Sequence, residues 1–155
     1  MSKKAVLVTG GFDPIHKGHI EYLREAKKLG DILYVGLNSD HWLTRKKGKP
    51  FMDLENRAMV IQSLDMVDEV IIFNDEDNSS CHAIHQTLQF YDEVIFANGG
   101  DRLLSNIPEY EKYKNEKRVK FVFNVGGDKT ESSSWLLDKW KSPKTLRKWG
   151  YYKDL

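Results

Sequence analysis

The chain has a single cysteine, Cys81, among its 155 residues, so it forms no intrachain disulfide and suits a reducing compartment. It has no apolar run near the ~20 residues that a membrane-spanning helix needs. The run Ala5-Val6-Leu7-Val8 after Met1-Ser2-Lys3-Lys4 is too short for the core of a secretory signal. These features set the expectation of a cytoplasmic location and no membrane partner. An excess of one charge is lacking as well: 24 Lys and Arg oppose 23 Asp and Glu, for a formal net charge of +1. That balance gives no reason to expect nucleic acid as a partner, so any basic function has to be local. Internal repeats and low-complexity segments are absent too.

What is there suits one compact α/β domain. At 155 residues, 40% of them hydrophobic, the chain is long enough for one ordinary core and short for two. Short apolar runs at Ala5–Val8, Ile32–Leu37, Val70–Phe73, Val94–Ala97 and Lys120–Val125 alternate with amphipathic stretches. This is the pattern of βαβ units, and it predicts a Rossmann-like, doubly wound sheet of five parallel strands in three layers. After the first run, Ile20, Leu23 and Ala26 fall at helical spacing between Lys17 and Leu29, and Gly30 stops that helix. A second helix is expected from Asp53, whose carboxylate can cap it, and a third leading to about Phe90. Residues 38–50 and 74–80 read as loops, and Ser132-Ser133-Ser134 are good capping residues before Trp135.

In such sheets ligands bind beyond the carboxyl ends of the strands. The segments Thr9–His19, Asn38–Pro50, Asn98–Asp101 and Gly126–Ser134 all follow strands, so all four should open on one edge. In the first of them, Gly10 and Gly11 permit close backbone approach to a ligand, and the helix behind them aims its free N–H groups and positive dipole end at it. A phosphate fits there. His16 and His19, three apart at the start of that helix, project from one face, and Gly18 between them removes an obstructing side chain. Imidazoles so placed can donate to phosphate oxygens and stabilise charge that grows during displacement at phosphorus.

Gly11-Phe12-Asp13-Pro14-Ile15-His16-Lys17-Gly18-His19 resembles the HxGH signature of the cytidylyltransferase-like nucleotidyltransferases in its extended G-x-F-D-x-x-H-x-G-H form. The resemblance continues through Gly36-Leu37-Asn38-Ser39-Asp40, Leu54-Glu55-Asn56-Arg57 and Val67-Asp68-Glu69-Val70, and covers about residues 5 to 137. Within the family it runs toward the glycerol-3-phosphate cytidylyltransferases and, through Gly99-Gly100-Asp101 and the late serines, the nucleotidyltransferase domain of ADP-heptose synthesis enzymes.

The resemblance implies transfer of a nucleoside monophosphate from an NTP to a sugar phosphate or polyol phosphate, with release of pyrophosphate. It favours CTP, with ATP or UTP as alternatives, and it implies Mg2+ or another divalent cation held through the phosphates, with no direct protein ligand assigned. His16, His19, Lys47 and Arg57 would be the catalytic set, with Arg57 reaching the phosphates. Gly10, Gly11, Phe12, Gly18, Asn98, Gly99, Asp101, Ser132, Ser133 and Ser134 would bind the nucleotide. Asp13, Asn38 and Lys46 would stand on the acceptor side, Asp13 having a competing role as the cap of its own turn beside Pro14. The domain would span residues 1–137, with 138–155 a basic, aromatic arm packing on it or on a partner subunit of a homodimer. A coenzyme-type adenylyltransferase and a non-catalytic nucleotide-binding regulator are the competing functions. Asn98, Gly127 and Asp128 depart from the residues common in relatives and leave the base and the acceptor open.

Two other features carry less. The run Arg45-Lys46-Lys47-Gly48-Lys49 would be a solvated basic loop anywhere else; after the second strand, its lysines can close over a triphosphate and a phosphorylated acceptor. Cys81, His82 and His85 lack the fourth ligand of a zinc site, and the tryptophans read as packing residues, Trp135 being the one nearest a ligand.

Overall fold

A computed structural model describes residues 3–100, 102–103, 107–127 and 132–141. Five strands, β1 (Lys4–Gly10), β2 (Ile32–Leu37), β3 (Glu69–Ile72), β4 (Glu93–Gly99) and β5 (Val119–Val125), form one parallel sheet in the order β3-β2-β1-β4-β5. The chain builds outward from β1 to β3, then returns past β2 to add β4 on the other side of β1. The winding therefore reverses between β1 and β4, and the crevice beyond their carboxyl ends is where such a sheet takes a ligand.

Strand periodicity divides the core in two. Val6 and Val8 of β1 and Ile95 and Ala97 of β4 point to one face, where they pack with Leu23 and Ala26 of α1 (Lys17–Lys27). Ile61 of α3 (Leu54–Gln62) joins that cluster. Leu7, Val94 and Phe96 point to the other face, against Ala83 and Ile84 of α4 (Cys81–Leu88) and Tyr113 of α5 (Pro108–Tyr113). Ala5–Val8 has no exposed surface, and β1 is the central strand of the sheet, so the loop behind it springs from the middle of the core. The five-stranded, three-layered sheet expected from the sequence is the one observed.

The expected 38–50 loop is different. Most of it is a helix, α2 (Asp40–Lys47), capped by Ser39 Oγ, which accepts from the Trp42 N–H at 3.0 Å, and ended by Gly48 at φ 96°. Only Leu43 of this helix is buried, so there was no apolar stripe to reveal it. The short helix α5, opened by Pro108, was likewise not foreseen. Asp53 caps α3 as anticipated, its Oδ1 accepting from Asn56 N–H at 3.0 Å.

The last helix, α6 (Ser133–Lys141), starts as the serine triplet suggested: Ser132 Oγ accepts from the Trp135 N–H at 3.0 Å. It runs on past residue 137, so the first residues of the supposed arm are helical. Residues 142–155, the rest of that arm, lie outside the described residues, as do Asp101 and Asp128. Among the described residues, no helix is long and apolar enough to cross a membrane.

Candidate active site

A cavity of about 620 Å³ opens at the carboxyl edge of the sheet over β1 and β4. Its walls include Gly10, Gly11, Phe12, Asp13, His16, Gly18 and His19 of the first loop and helix, Asn38, Lys46 and Lys47 after β2, Asn98 and Gly99 at the end of β4, and Ser132, Ser133 and Ser134. Every candidate residue of the sequence reading except Arg57 and the undescribed Asp101 thus lines one cavity.

The two histidines are set by the main chain. His16 is the N-cap of α1, and its Nδ1 accepts from the Gly18 N–H at 3.1 Å. His19 reaches back, its Nδ1 accepting from the His16 N–H at 3.2 Å, which completes a capping box made of two imidazoles. The rings stack with centroids 3.8 Å apart. An Nδ1 that accepts leaves the proton of a neutral ring on Nε2, at the far side of the ring, and both residues line the cavity. Burial, with His16 alongside, lowers the His19 pKa from 6.5 to about 3, so this ring is a neutral donor. Phe12 supports it from below, ring centroid 4.8 Å away, with its own backbone in the left-handed region at φ 51°.

The glycines of this loop serve the protein before the ligand. A Cβ on Gly11 would stand 2.9 Å from a methyl of Leu43, so its bareness lets α2 close against the loop. Gly11, expected to make room for a ligand, lines the cavity and also makes room for helix packing.

Arg57 is fully buried and does not line the cavity. Its Nε donates to Met52 O at 2.9 Å, its Nη1 to Gly11 O at 3.0 Å and Asn38 O at 2.8 Å, and its Nη2 to Asp40 Oδ1 at 2.6 Å. Arg57, expected to reach the phosphates, has every guanidinium nitrogen bonded inside the protein and stands behind the cavity wall. The guanidinium instead clamps the two loops that carry the site, a task its planar fork suits.

Asp13 is also a tie. Its two carboxylate oxygens accept from the Phe51 and Met52 N–H groups at 2.6 Å each, and Lys47 Nζ lies 3.2 Å from Oδ2 and donates to the Asp13 carbonyl. It caps a distant loop, not the turn beside Pro14 that the sequence suggested, and it holds Lys47 at the cavity wall. Lys46, one position earlier on α2, stands 4.8 Å over the Trp42 ring. Both lysines thus come from the end of a helix, not from a free loop.

Ser133 Oγ donates to Pro14 O at 2.8 Å and pins the start of α6 against the first loop. Gly126, at φ 84°, lets the turn after β5 approach α1: a Cβ there would stand 3.0 Å from the Tyr22 Cα. Buried Asn38 donates to Asp75 Oδ2 at 3.1 Å, and Asn98 donates weakly to Phe96 O at 3.3 Å. Among the described residues, no group of three His, Cys, Asp or Glu could hold a metal ion.

Sequence reasoning missed part of the wall: Tyr22, Trp42, Asn78, Ser79, Ser80, Arg102 and Glu109 also line the cavity. Ser79 and Ser80 end a stretch read as an ordinary polar loop, and Glu109 sits on the unforeseen α5, so local pattern carried no signal for them. Asp75 organises that loop, its carboxylate accepting from Ser39 N–H and Ser39 Oγ–H at 2.8 Å each.

Comparison with known proteins gives the family and the fold. A family model described as cytidylyltransferase-like matches residues 7–150. The bifunctional protein HldE of Geobacter metallireducens is 40% identical over 142 residues, 88% of this chain and 27% of that protein. HldE of Helicobacter pylori strain J99 is 34% identical over 141 residues, 90% of this chain and 28% of that protein. The chain therefore spans about a quarter of the length of these curated relatives. The crystal structure of the lipopolysaccharide core biosynthesis protein from Thermoplasma volcanium superposes with a TM-score of 0.63 at 30% identity, covering 79% of this chain and 96% of that one.

Proposed function

Since the chain belongs to the cytidylyltransferase-like family of nucleotidyltransferases, we propose that it transfers a nucleoside monophosphate from an NTP to a sugar phosphate or polyol phosphate. An oxygen of the acceptor's phosphate attacks the α-phosphorus and forms a new P–O bond. The bond from that phosphorus to its bridging oxygen breaks in line, and pyrophosphate leaves with the electron pair. CTP is the favoured donor, with ATP and UTP as alternatives.

The observation that carries this reading is the stacked imidazole pair lining the cavity at the N-terminus of α1, both rings fixed through Nδ1 by backbone N–H groups. Two donors fixed before the substrate arrives stabilise charge developing on the phosphoryl oxygens without reorganisation cost. Ser132 and Ser134 offer hydroxyls, and the start of α6 offers helix N–H groups, to the β- and γ-phosphates, while Ser133, bonded to Pro14 O, holds that helix end against the first loop. Lys46 and Lys47 neutralise charge between nucleotide and acceptor. Asn98 and Gly99 stand where the nucleoside is held, and Arg57 acts as a positioning residue through Gly11 and Asn38.

Mg2+ would arrive with the triphosphate. The described residues offer no carboxylate cluster for it, and both oxygens of Asp13 are taken by backbone N–H groups. When bound, the ion would offset phosphate charge. A homodimer is the assembly we expect.

The test is pyrophosphate release with Mg2+ for each NTP crossed with glycerol, pentose and heptose phosphates, with His16→Ala as control. Turnover of one pair that is lost in the variant supports the reading and names both substrates. Tight NTP binding with no turnover on any acceptor overturns it in favour of a nucleotide-binding regulator.

A further inference from the structure

Opposite the histidines, the cavity wall contains a group that the transfer reaction does not use. Glu109 is 1% exposed. Its Oε2 accepts from the Ser80 N–H at 2.7 Å. Its Oε1 is the one buried side-chain polar atom of the described residues with no hydrogen-bond partner. The nearest opposite charge is Arg102 Nη2, 3.5 Å from Oε1, on a side chain 41% exposed. Burying a carboxyl group with one of its oxygens unbonded is costly unless something completes it, because each oxygen has room for two donors.

The chemistry of what completes it follows from the pair. Arg102 offers N–H donors and Glu109 Oε1 an acceptor only 3.5 Å apart, so a group that enters by moving Arg102 outward has to take from one and give to the other at once. A hydroxyl does both. An ammonium would be repelled by Arg102, and an amino group on a nucleobase has no lone pair to offer it. The surrounding wall suits the same ligand: Thr9, Asn78, Ser79 and Ser80 line this end, with Thr9 Oγ1 and Ser80 Oγ 2.7 Å apart.

This wall is fastened to the helix that carries the lysines. Arg45 of α2 donates from Nε to Asn78 Oδ1 at 3.1 Å and from Nη2 to Asp75 O at 2.8 Å. A molecule whose phosphate meets Lys46 and Lys47 would extend its body along Asn78 and Ser79 toward Glu109.

We propose that Glu109, with Arg102, selects the acceptor by taking one of its hydroxyl groups, so that the substrate is a polyhydroxylated phosphate ester and not a plain alkyl phosphate. The inference rests on the transferase reading above and adds a specificity-determining residue to it. Arg102 swings outward as the hydroxyl enters, since its side chain is already half in solvent.

Glu109→Gln tests this, because the amide carbonyl still accepts from Ser80 N–H while an NH2 donor replaces the open acceptor. Kinetics would be measured with whichever of glycerol, pentose or heptose phosphate the wild type prefers, and with each of its monodeoxy analogues, alongside a thermal melt. The expected result is a rise in acceptor KM of about tenfold to a hundredfold, with the NTP KM unchanged and the melt preserved. One deoxy analogue should be poor for the wild type, and the variant should no longer distinguish it from the parent. If wild type turns over and Glu109→Gln has wild-type acceptor KM, this inference fails and the transferase reading stands. A rise confined to the NTP KM also overturns it, assigning the hydroxyl to the nucleoside. If wild type neither turns over nor binds any of the three phosphates by calorimetry, both readings fall.

Discussion

The two sides of the cavity are built on different principles. The histidine side is set by main-chain hydrogen bonds: Gly18 N–H fixes His16, His16 N–H fixes His19, and Ser133 ties α6 to Pro14. Other parts of the wall are held by side-chain charges that a ligand can compete for, Lys47 on Asp13 of that same first loop and Arg102 on Glu109. A wall whose geometry the backbone dictates is preorganised and suits the group common to every substrate, the triphosphate. A wall of exchangeable ion pairs can reshape around a ligand, and that is where discrimination among acceptors is expected.

The contrast is broken most severely at the histidines. His16→Ala and His19→Ala should each lower kcat by about 10²- to 10³-fold, the range for one fixed donor to a developing oxyanion. The melting temperature should fall only by the equivalent of a lost helix cap, about 1 kcal/mol. A kcat loss below tenfold in steady-state assays would mean that the backbone-set wall is not where charge develops. Arg57→Ala should do the reverse. It strands the carbonyls of Met52, Gly11 and Asn38 and leaves a large void, at a cost of about 3 kcal/mol or more in urea unfolding.

Arg57 also illustrates how far the sequence could be read. The strands were legible because each is a short apolar run, and the first loop because its glycines and histidines sit at the end of one. The pairing of residues far apart in sequence was not. That Asp13 would bind backbone at Phe51 and Met52, or that Arg57 would bridge Gly11 and Asn38, depends on how α2 closes over the first loop. Helix α2 itself gave no periodic signal, having one buried side chain. Glu109 was illegible for the same reason: it reaches the cavity only because α5 packs beside α4 on the face away from the histidines.

On the exchangeable side, Lys47→Ala should reduce kcat/KM for the acceptor by about tenfold to a hundredfold, as for a hydrogen bond to a charged group. Asp13 keeps its two backbone donors without the lysine, so the urea midpoint should move less than in Arg57→Ala. Equal losses of stability in the two variants would mean that Lys47 is as structural as Arg57, and the distinction between the walls would fail.

The smallest effect isolates His19. Its folded pKa of about 3 lies below the ordinary 6.5 because burial, with His16 beside it, disfavours the charged ring. Between those values the unfolded chain binds a proton at this position that the folded chain refuses. The stability contributed by the neutral ring is therefore complete above pH 6.5 and declines as pH falls toward 3. A His19→Gln variant has no such proton to bind, so the gap in urea midpoint between it and wild type should narrow, and can reverse, from pH 7 to pH 4. The His19 imidazole resonances of the wild type should keep their neutral positions from pH 8 to pH 5. A ring that titrates near 6.5, with a stability gap that does not depend on pH, would show that His19 is solvated and is not held as a neutral donor before the triphosphate arrives.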